Sequence, residues 1–150
     1  MKDHKRNKLH FHIGSDHAGY DMKEVVKEFL ISLGHSCTDH GTNSSASTDY
    51  PDYAHTVASA VEAEADGRGI LLCGSANGVC MTANKHAGIR AALCWTPEIA
   101  SLARQHNNAN ILCIPARFVS DDVAREMVEA FVAVPFEGGR HQLRVEKISC

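Results

Sequence analysis

No apolar stretch in this chain approaches the roughly 20 residues of a membrane span. Basic charge is not in excess either. Fifteen Lys and Arg stand against 18 Asp and Glu, a formal net charge of −3, which argues against a general nucleic-acid or anionic-membrane surface. The charged start, Met1 to Lys8, has no apolar core or cleavage site after it. It therefore reads as a solvated leader over residues 1–9 and not as a secretory signal. Six cysteines occur, at positions 37, 73, 80, 94, 113 and 150, but no Cys-x-x-Cys pair that a structural zinc knuckle would need. An even count of cysteines points to disulfides only in a small secreted chain, so reduced thiols in a cytoplasm fit better. Internal repeats, low-complexity tracts and a second-domain boundary are also lacking. The 150 residues read as one domain over 10–150, long enough to bury roughly two-thirds of its unfolded surface.

What is present is an alternation of apolar runs with amphipathic stretches, the pattern of βαβ units and a parallel sheet. Strands are expected at Phe11 to Gly14, Ser36 to Asp39, Ile70 to Cys73, Ile89 to Trp95 and Asn110 to Ile114. Asp21 is expected to cap a helix through Leu33, stopped by Gly34. Gly41 to Pro51 is a polar loop, Tyr53 to Ala65 a helix, and Val79 to Asn84 a short one. Pro97 opens a helix to about Gln105, and Ser120 caps another through Val132. After Gly138-Gly139 comes a last basic helix, Arg140 to Ile148. The fold class is α/β, a five-stranded doubly wound parallel sheet with a C-terminal helix.

The segment that most resembles chemistry is Ile70-Leu71-Leu72-Cys73-Gly74-Ser75-Ala76-Asn77-Gly78. It places a thiol at the carboxyl end of a strand, where open α/β sheets bind ligands. The helix start beside it is expected to lower the thiol's pKa and attract anions. Such a thiol is a nucleophile, a base or a packed side chain. A cysteine phosphatase needs an arginine in the loop through Cys80, and there is none. A cysteine hydrolase needs a partner base, for which His106 is available, but no protease signature surrounds Cys73. Gly14-Ser15-Asp16-His17-Ala18-Gly19 ends the first strand and meets neither the dinucleotide nor the P-loop fingerprint. Asp39 does sit where a dinucleotide fold puts its ribose-binding acid, which keeps a nucleotide reading open. The turn Arg104-Gln105-His106-Asn107-Asn108 is expected to face the same crevice, as is Arg117. A His-Asn pair there donates to sugar oxygens or moves a proton near neutral pH. Arg140 and Arg144, four apart on one helical face, suit a phosphate dianion. Together these groups fit a small phosphorylated polyol and proton abstraction next to a carbonyl.

Gly14-Ser15-Asp16-His17-Ala18-Gly19, Thr48-Asp49-Tyr50-Pro51, Cys73-Gly74-Ser75, Ala83-Asn84-Lys85, Arg104-Gln105-His106-Asn107 and Gly138-Gly139-Arg140-His141-Gln142-x-Arg144 occur in the order found in type B ribose-5-phosphate isomerases. The chain resembles that family from about residue 10 to its end. The resemblance implies a Rossmann-like domain forming homodimers, or dimers of dimers, with active sites shared between subunits. It implies metal-free interconversion of ribose 5-phosphate and ribulose 5-phosphate, with no cofactor. Carried over, Cys73 is the base between C2 and C1. Ser75 and the amides of Gly74 through Gly78 hold the enediolate. Asp16 and His106 open the furanose ring, and Tyr50 and Asn107 bind sugar oxygens. His17, Arg117, Arg140 and Arg144 hold the phosphate. Allose- and galactose-6-phosphate isomerases share the fold, so the six-carbon reaction is the alternative, with a non-catalytic sugar-phosphate or nucleotide-binding module behind it. Two positions depart from the family pattern. Ala76 replaces a glycine and would be strained at positive φ. Val79 stands where one branch of the family carries a glutamate base, which leaves Cys73 as the only base of the loop.

Overall fold

The computed structural model describes residues 8–149. Most of the expected leader, residues 1–7, lies outside the described residues. Five strands form one parallel sheet: β1 (His10–Ser15), β2 (Ser36–Asp39), β3 (Arg68–Cys73), β4 (Ala91–Leu93) and β5 (Ile111–Pro115), in the order β2-β1-β3-β5-β4. The helices are α1 (Tyr20–Ser32), α2 (Tyr50–Glu62), α3 (Asn77–Ala83), α4 (Pro97–Asn107), α5 (Asp121–Ala133) and α6 (Arg140–Glu146).

Strand alternation divides the core into two halves, because successive side chains point to opposite faces. Phe11, Ile13, Ile70, Leu72, Leu112 and Ile114 pack under α1, α4 and α5 with Val26, Leu30, Ala103, Met127 and Phe131. Leu71, Cys73, Ile111 and Cys113 face the other side, under Val57, Val61, Val79 and Ala83 of α2 and α3. Helices on both faces make the sheet doubly wound, as its sequence pattern implies. The chain leaves β1 toward β2 and returns to β3 on the other side. The switch point thus lies where β1 and β3 end, with Ser15 opposite Leu72.

Several boundaries differ from expectation. Asp21 does not cap α1; Asp16 caps a short 3-10 turn, His17–Gly19, by accepting from Ala18 N and Gly19 N, and α1 follows directly. α2 begins at Tyr50 with Pro51 in its first turn, three residues early. α3 begins two residues early, at Asn77. β4 is only three residues long, although Arg90 O and Cys94 N still bond to the β5 side, at Asn110 N and Cys113 O. Thr96 and Ser120 cap α4 and α5 through their hydroxyl oxygens.

Candidate active site

The β1 and β3 loops meet at the switch point. Asp16 N donates to Leu72 O at 3.3 Å, and Arg117 N to Gly74 O at 3.1 Å, so the ends of β1, β3 and β5 are tied together. Cys73 is buried, 5% exposed, and the backbone N–H groups of Ala76, Gly78 and Val79 approach its sulfur. Two glycines let the surrounding side chains close in. A Cβ on Gly74 would meet Arg117 Nη1 at 3.2 Å, and one on Gly78 would collide with the Tyr50 ring. His17 is oriented by Thr48 N, which donates to its Nδ1 at 3.2 Å. Cys73, Gly74, Ser75, Gly78, Asp16, His17, Tyr50 and Arg117 therefore gather at the loops where β1, β3 and β5 end. The arginine missing from the loop itself arrives from the end of β5.

The thiol is not acidified as the helix start led us to expect. Burial pushes its pKa up, and the Asp16 charge adds to this; the three backbone N–H groups oppose both without winning. Ala76 does adopt the left-handed conformation, φ 64° and ψ 0°. Asn77 then donates from its backbone N (3.4 Å) and Nδ2 (3.3 Å) to Ser75 Oγ. This fixes the Ser75 oxygen as an acceptor and leaves its own proton for a ligand.

His106 and Asn107 lie elsewhere, contrary to their expected crevice placement, and Arg140 and Arg144 lie with them. α4 runs back against the strands from Thr96, beyond the end of β4, to the residues that precede β5. Its C-terminus therefore sits at the amino edge of the sheet, where Asn110 N donates to Arg90 O at 3.0 Å. α5 returns the same way, and Glu137 N donates to Gln105 O at 3.0 Å, docking α6 beside α4. The full length of β3, about 17 Å at the usual rise, separates this edge from Cys73. Within one chain the thiol and His106 do not meet, so the cysteine-hydrolase pairing fails too.

Asp39 is not free for a ribose. Its carboxylate accepts from Lys23 Nζ at 2.6 Å, Lys27 Nζ at 3.0 Å and Gly41 N at 2.9 Å. Burial alone would raise its pKa, but these donors outweigh burial and lower it.

Homology agrees with this geometry. Residues 11–148 match the Ribose/Galactose Isomerase family. The chain belongs to that family. It is 47% identical over 137 residues to ribose-5-phosphate isomerase B of Escherichia coli, covering 91% of each protein. It superimposes on the ribose 5-phosphate isomerase of Thermotoga maritima with a TM-score of 0.89 at 50% identity, covering 93% of this chain and 97% of that one. The Mycoplasma genitalium ribose-5-phosphate isomerase B with bound ribulose 5-phosphate gives 0.90 at 45% identity, covering 93% of each.

Around His106 the structure adds residues that sequence reading left without a role. The His141 ring stacks on His106 at 4.2 Å between centroids and 13° between planes. Glu137 reaches both rings, 3.9 Å from His106 Nε2 and 3.8 Å from His141 Nε2. These three could form a metal-ligand set by type and proximity. Near-parallel rings do not aim their in-plane lone pairs at one point, however, and Arg140 and Arg144 flank the cluster, so the residues as arranged do not fit a cation. His141 stands inside the quoted motif and Glu137 immediately before it, and neither position was given a role of its own. Asn77 likewise stood out only as a departure from the family pattern.

Proposed function

We propose that this isomerase-family chain interconverts ribose 5-phosphate and ribulose 5-phosphate, in the cytoplasm and as part of pentose phosphate metabolism, without metal or cofactor. The observation that carries the reading is the buried Cys73 thiol under three backbone N–H groups, beside Asp16 and across from Val79, which offers no rival base. Asp16 and His106 open the furanose: one takes the C1 hydroxyl proton while the other protonates the ring oxygen. The Cys73 thiolate removes the C2 proton, and the electron pair moves through C1 to the carbonyl oxygen, forming the enediolate. The thiol returns the proton to C1 while Ser75 passes the hydroxyl proton from O2 to O1, so no oxidant is consumed. Gly74 and Gly78 let the loop close on the sugar, and Tyr50 and Asn107 bind its oxygens. His17, Arg117, Arg140 and Arg144 hold the phosphate.

The acting unit in this proposal is a homodimer, alone or as a dimer of dimers. Cys73 and His106 occupy opposite edges of one sheet, so a second copy running the other way brings its His106 edge to the Cys73 crevice. Support for such a face comes from β4, a half-buried edge strand, and from Met81, Trp95 and Ile148, each more than half exposed. The test is a chelator-treated assay on ribose 5-phosphate with wild type and Cys73→Ala. Turnover by wild type and a loss of about 10³-fold in kcat with unchanged folding are expected. Folded wild type without turnover, or a variant with near-normal kcat, rejects the reading. The ratio of kcat/KM for ribose 5-phosphate over allose 6-phosphate decides the six-carbon alternative; ligand binding without isomerisation would mark a binding module.

A further inference from the structure

A cavity of about 370 Å³ opens at the amino edge of the sheet, far from Cys73. Three arginines from three elements line it: Arg68 at the start of β3, Arg90 before β4 and Arg104 on α4. They are held close together. Arg68 and Arg104 both lie over the Phe131 ring, at 5.7 and 5.8 Å. Asn108, in the left-handed conformation at φ 48°, turns its carbonyl oxygen to Arg90 Nε (2.8 Å) and its Oδ1 to Arg104 Nη1 (3.2 Å). Burial, with Arg68 and Arg90 nearby, pushes Arg104 down to about 10.

The guanidiniums are poorly compensated. Among the described residues none of the three has a carboxylate within 4 Å. The Arg68 side chain has no hydrogen-bond acceptor, and its Nη1 is buried without one. Arg90 uses only Nε, which leaves both of its Nη groups. Three carboxylates also line the cavity, but two are committed. Glu62 accepts from Gly88 N at 2.7 Å and contacts His86 at 3.1 Å, and Glu64 contacts His12 at 2.7 Å. The three carboxylates balance the three guanidiniums in formal charge, but none is paired with one, so Arg68 and both Nη groups of Arg90 keep N–H donors free for an oxyanion.

We infer that this cavity binds a small phosphorylated ligand, its oxyanion on Arg68 and Arg90 and its remaining atoms in the space beside Asn110 and Gly88. Paired guanidinium forks recognise tetrahedral oxyanions through charge-assisted bonds, and the volume falls in the range of small-molecule sites. Within one chain the site lies at the opposite edge of the sheet from Cys73, and the inference does not depend on the isomerase reading.

Inorganic phosphate serves as the probe, titrated calorimetrically into the intact protein. Wild type is expected to bind at two kinds of site per chain. Arg68→Gln should weaken one at least tenfold and leave kcat/KM within twofold of wild type, whereas Arg140→Gln should weaken the other. In phosphate-free buffer Arg68→Gln should melt no lower than wild type, because it removes mutual repulsion. Arg68→Met, which keeps the stem on Phe131, should lose the same phosphate site and guards against a folding defect of the first variant. Unchanged phosphate binding in both Arg68 variants overturns the inference. So does wild-type binding that disappears entirely in Arg140→Gln. Both results stand whether or not the chain isomerises ribose 5-phosphate.

Discussion

Cys73 shows how two local effects of opposite sign are decided by burial. The N–H groups of Ala76, Gly78 and Val79 stabilise a thiolate, but loss of water and the Asp16 charge stabilise the thiol more. The free enzyme therefore holds mostly thiol at neutral pH, and the thiolate fraction grows as pH rises. The expected kcat/KM profile climbs through a pKa above the ordinary thiol value of 9.0; a limb centred near pH 6 would contradict Cys73 as the base. Alkylation is a poorer readout, because contact with Cys113 lowers the pKa of Cys80 and makes it the competing target. Ala76 is a second balance. A left-handed alanine costs about 1–2 kcal/mol. Glycine would relieve this but give back about 0.4–1 kcal/mol of unfolded-state entropy and about 0.8 kcal/mol of methyl burial. Ala76 has no exposed surface, so Ala76→Gly should shift unfolding free energy by less than about 1 kcal/mol. Ala76→Val, branched and buried at φ 64°, should cost about 3 kcal/mol. Denaturant unfolding of both variants checks the pair. The residue types of this loop were legible in the chain, but the left-handed conformation of Ala76 was not, since the sequence posed it only as a condition under which alanine would be strained. Nor was the pKa, because desolvation depends on α2 and α3 closing over the sulfur.

At the scale of elements, α1 and β2 are joined by a buried ion pair. Lys23 has no exposed surface and donates to Asp39 at 2.6 Å and Glu24 at 2.9 Å. Removing one partner of such a pair leaves an uncompensated charge, at a cost of about 3–5 kcal/mol. Glu24 still pairs with Lys23 when Asp39 is lost, so Asp39→Asn is expected to lower unfolding free energy by less than that, about 1–3 kcal/mol, measured by urea titration, with little change in KM. A raised KM at unchanged stability would restore Asp39 as a ligand-binding acid. The sequence placed this aspartate at a strand end and could not show that α1 presents two lysines to it. Element ends were misjudged for related reasons. Asp16 outcompetes Asp21 as a cap because β1 delivers it next to two free N–H groups, and α2 starts early at Tyr50, with Pro51 in the first turn where its missing N–H costs nothing.

For the whole molecule, the separation of Cys73 from His106 is the decisive fact, since the proposed chemistry needs both at one sugar. It yields a complementation experiment. Cys73→Ala and His106→Asn should each be nearly inactive alone. Mixed after dissociation and reassociation, half of the dimers are hybrids with one intact site of two, which restores about a quarter of wild-type activity. No recovery in verified hybrids would mean that each chain works alone. Recovery also requires that the chain associate in solution, which sedimentation of the wild type reads directly.

The sequence by itself determined the α/β class, the two-faced core and the residue types of the site, because alternating strands, amphipathic helices and strand-end loops are local patterns. It also determined membership of the family, since the motifs occur in register along the chain. Only the tertiary structure decided which motifs share an edge of the sheet. A helix after a parallel strand must run back to the opposite edge, and that return carries His106, Arg140 and Arg144 away from Cys73. Burial, which sets the thiol's pKa and gathers Arg68, Arg90 and Arg104 around one cavity, likewise arises only when segments distant in the chain pack together.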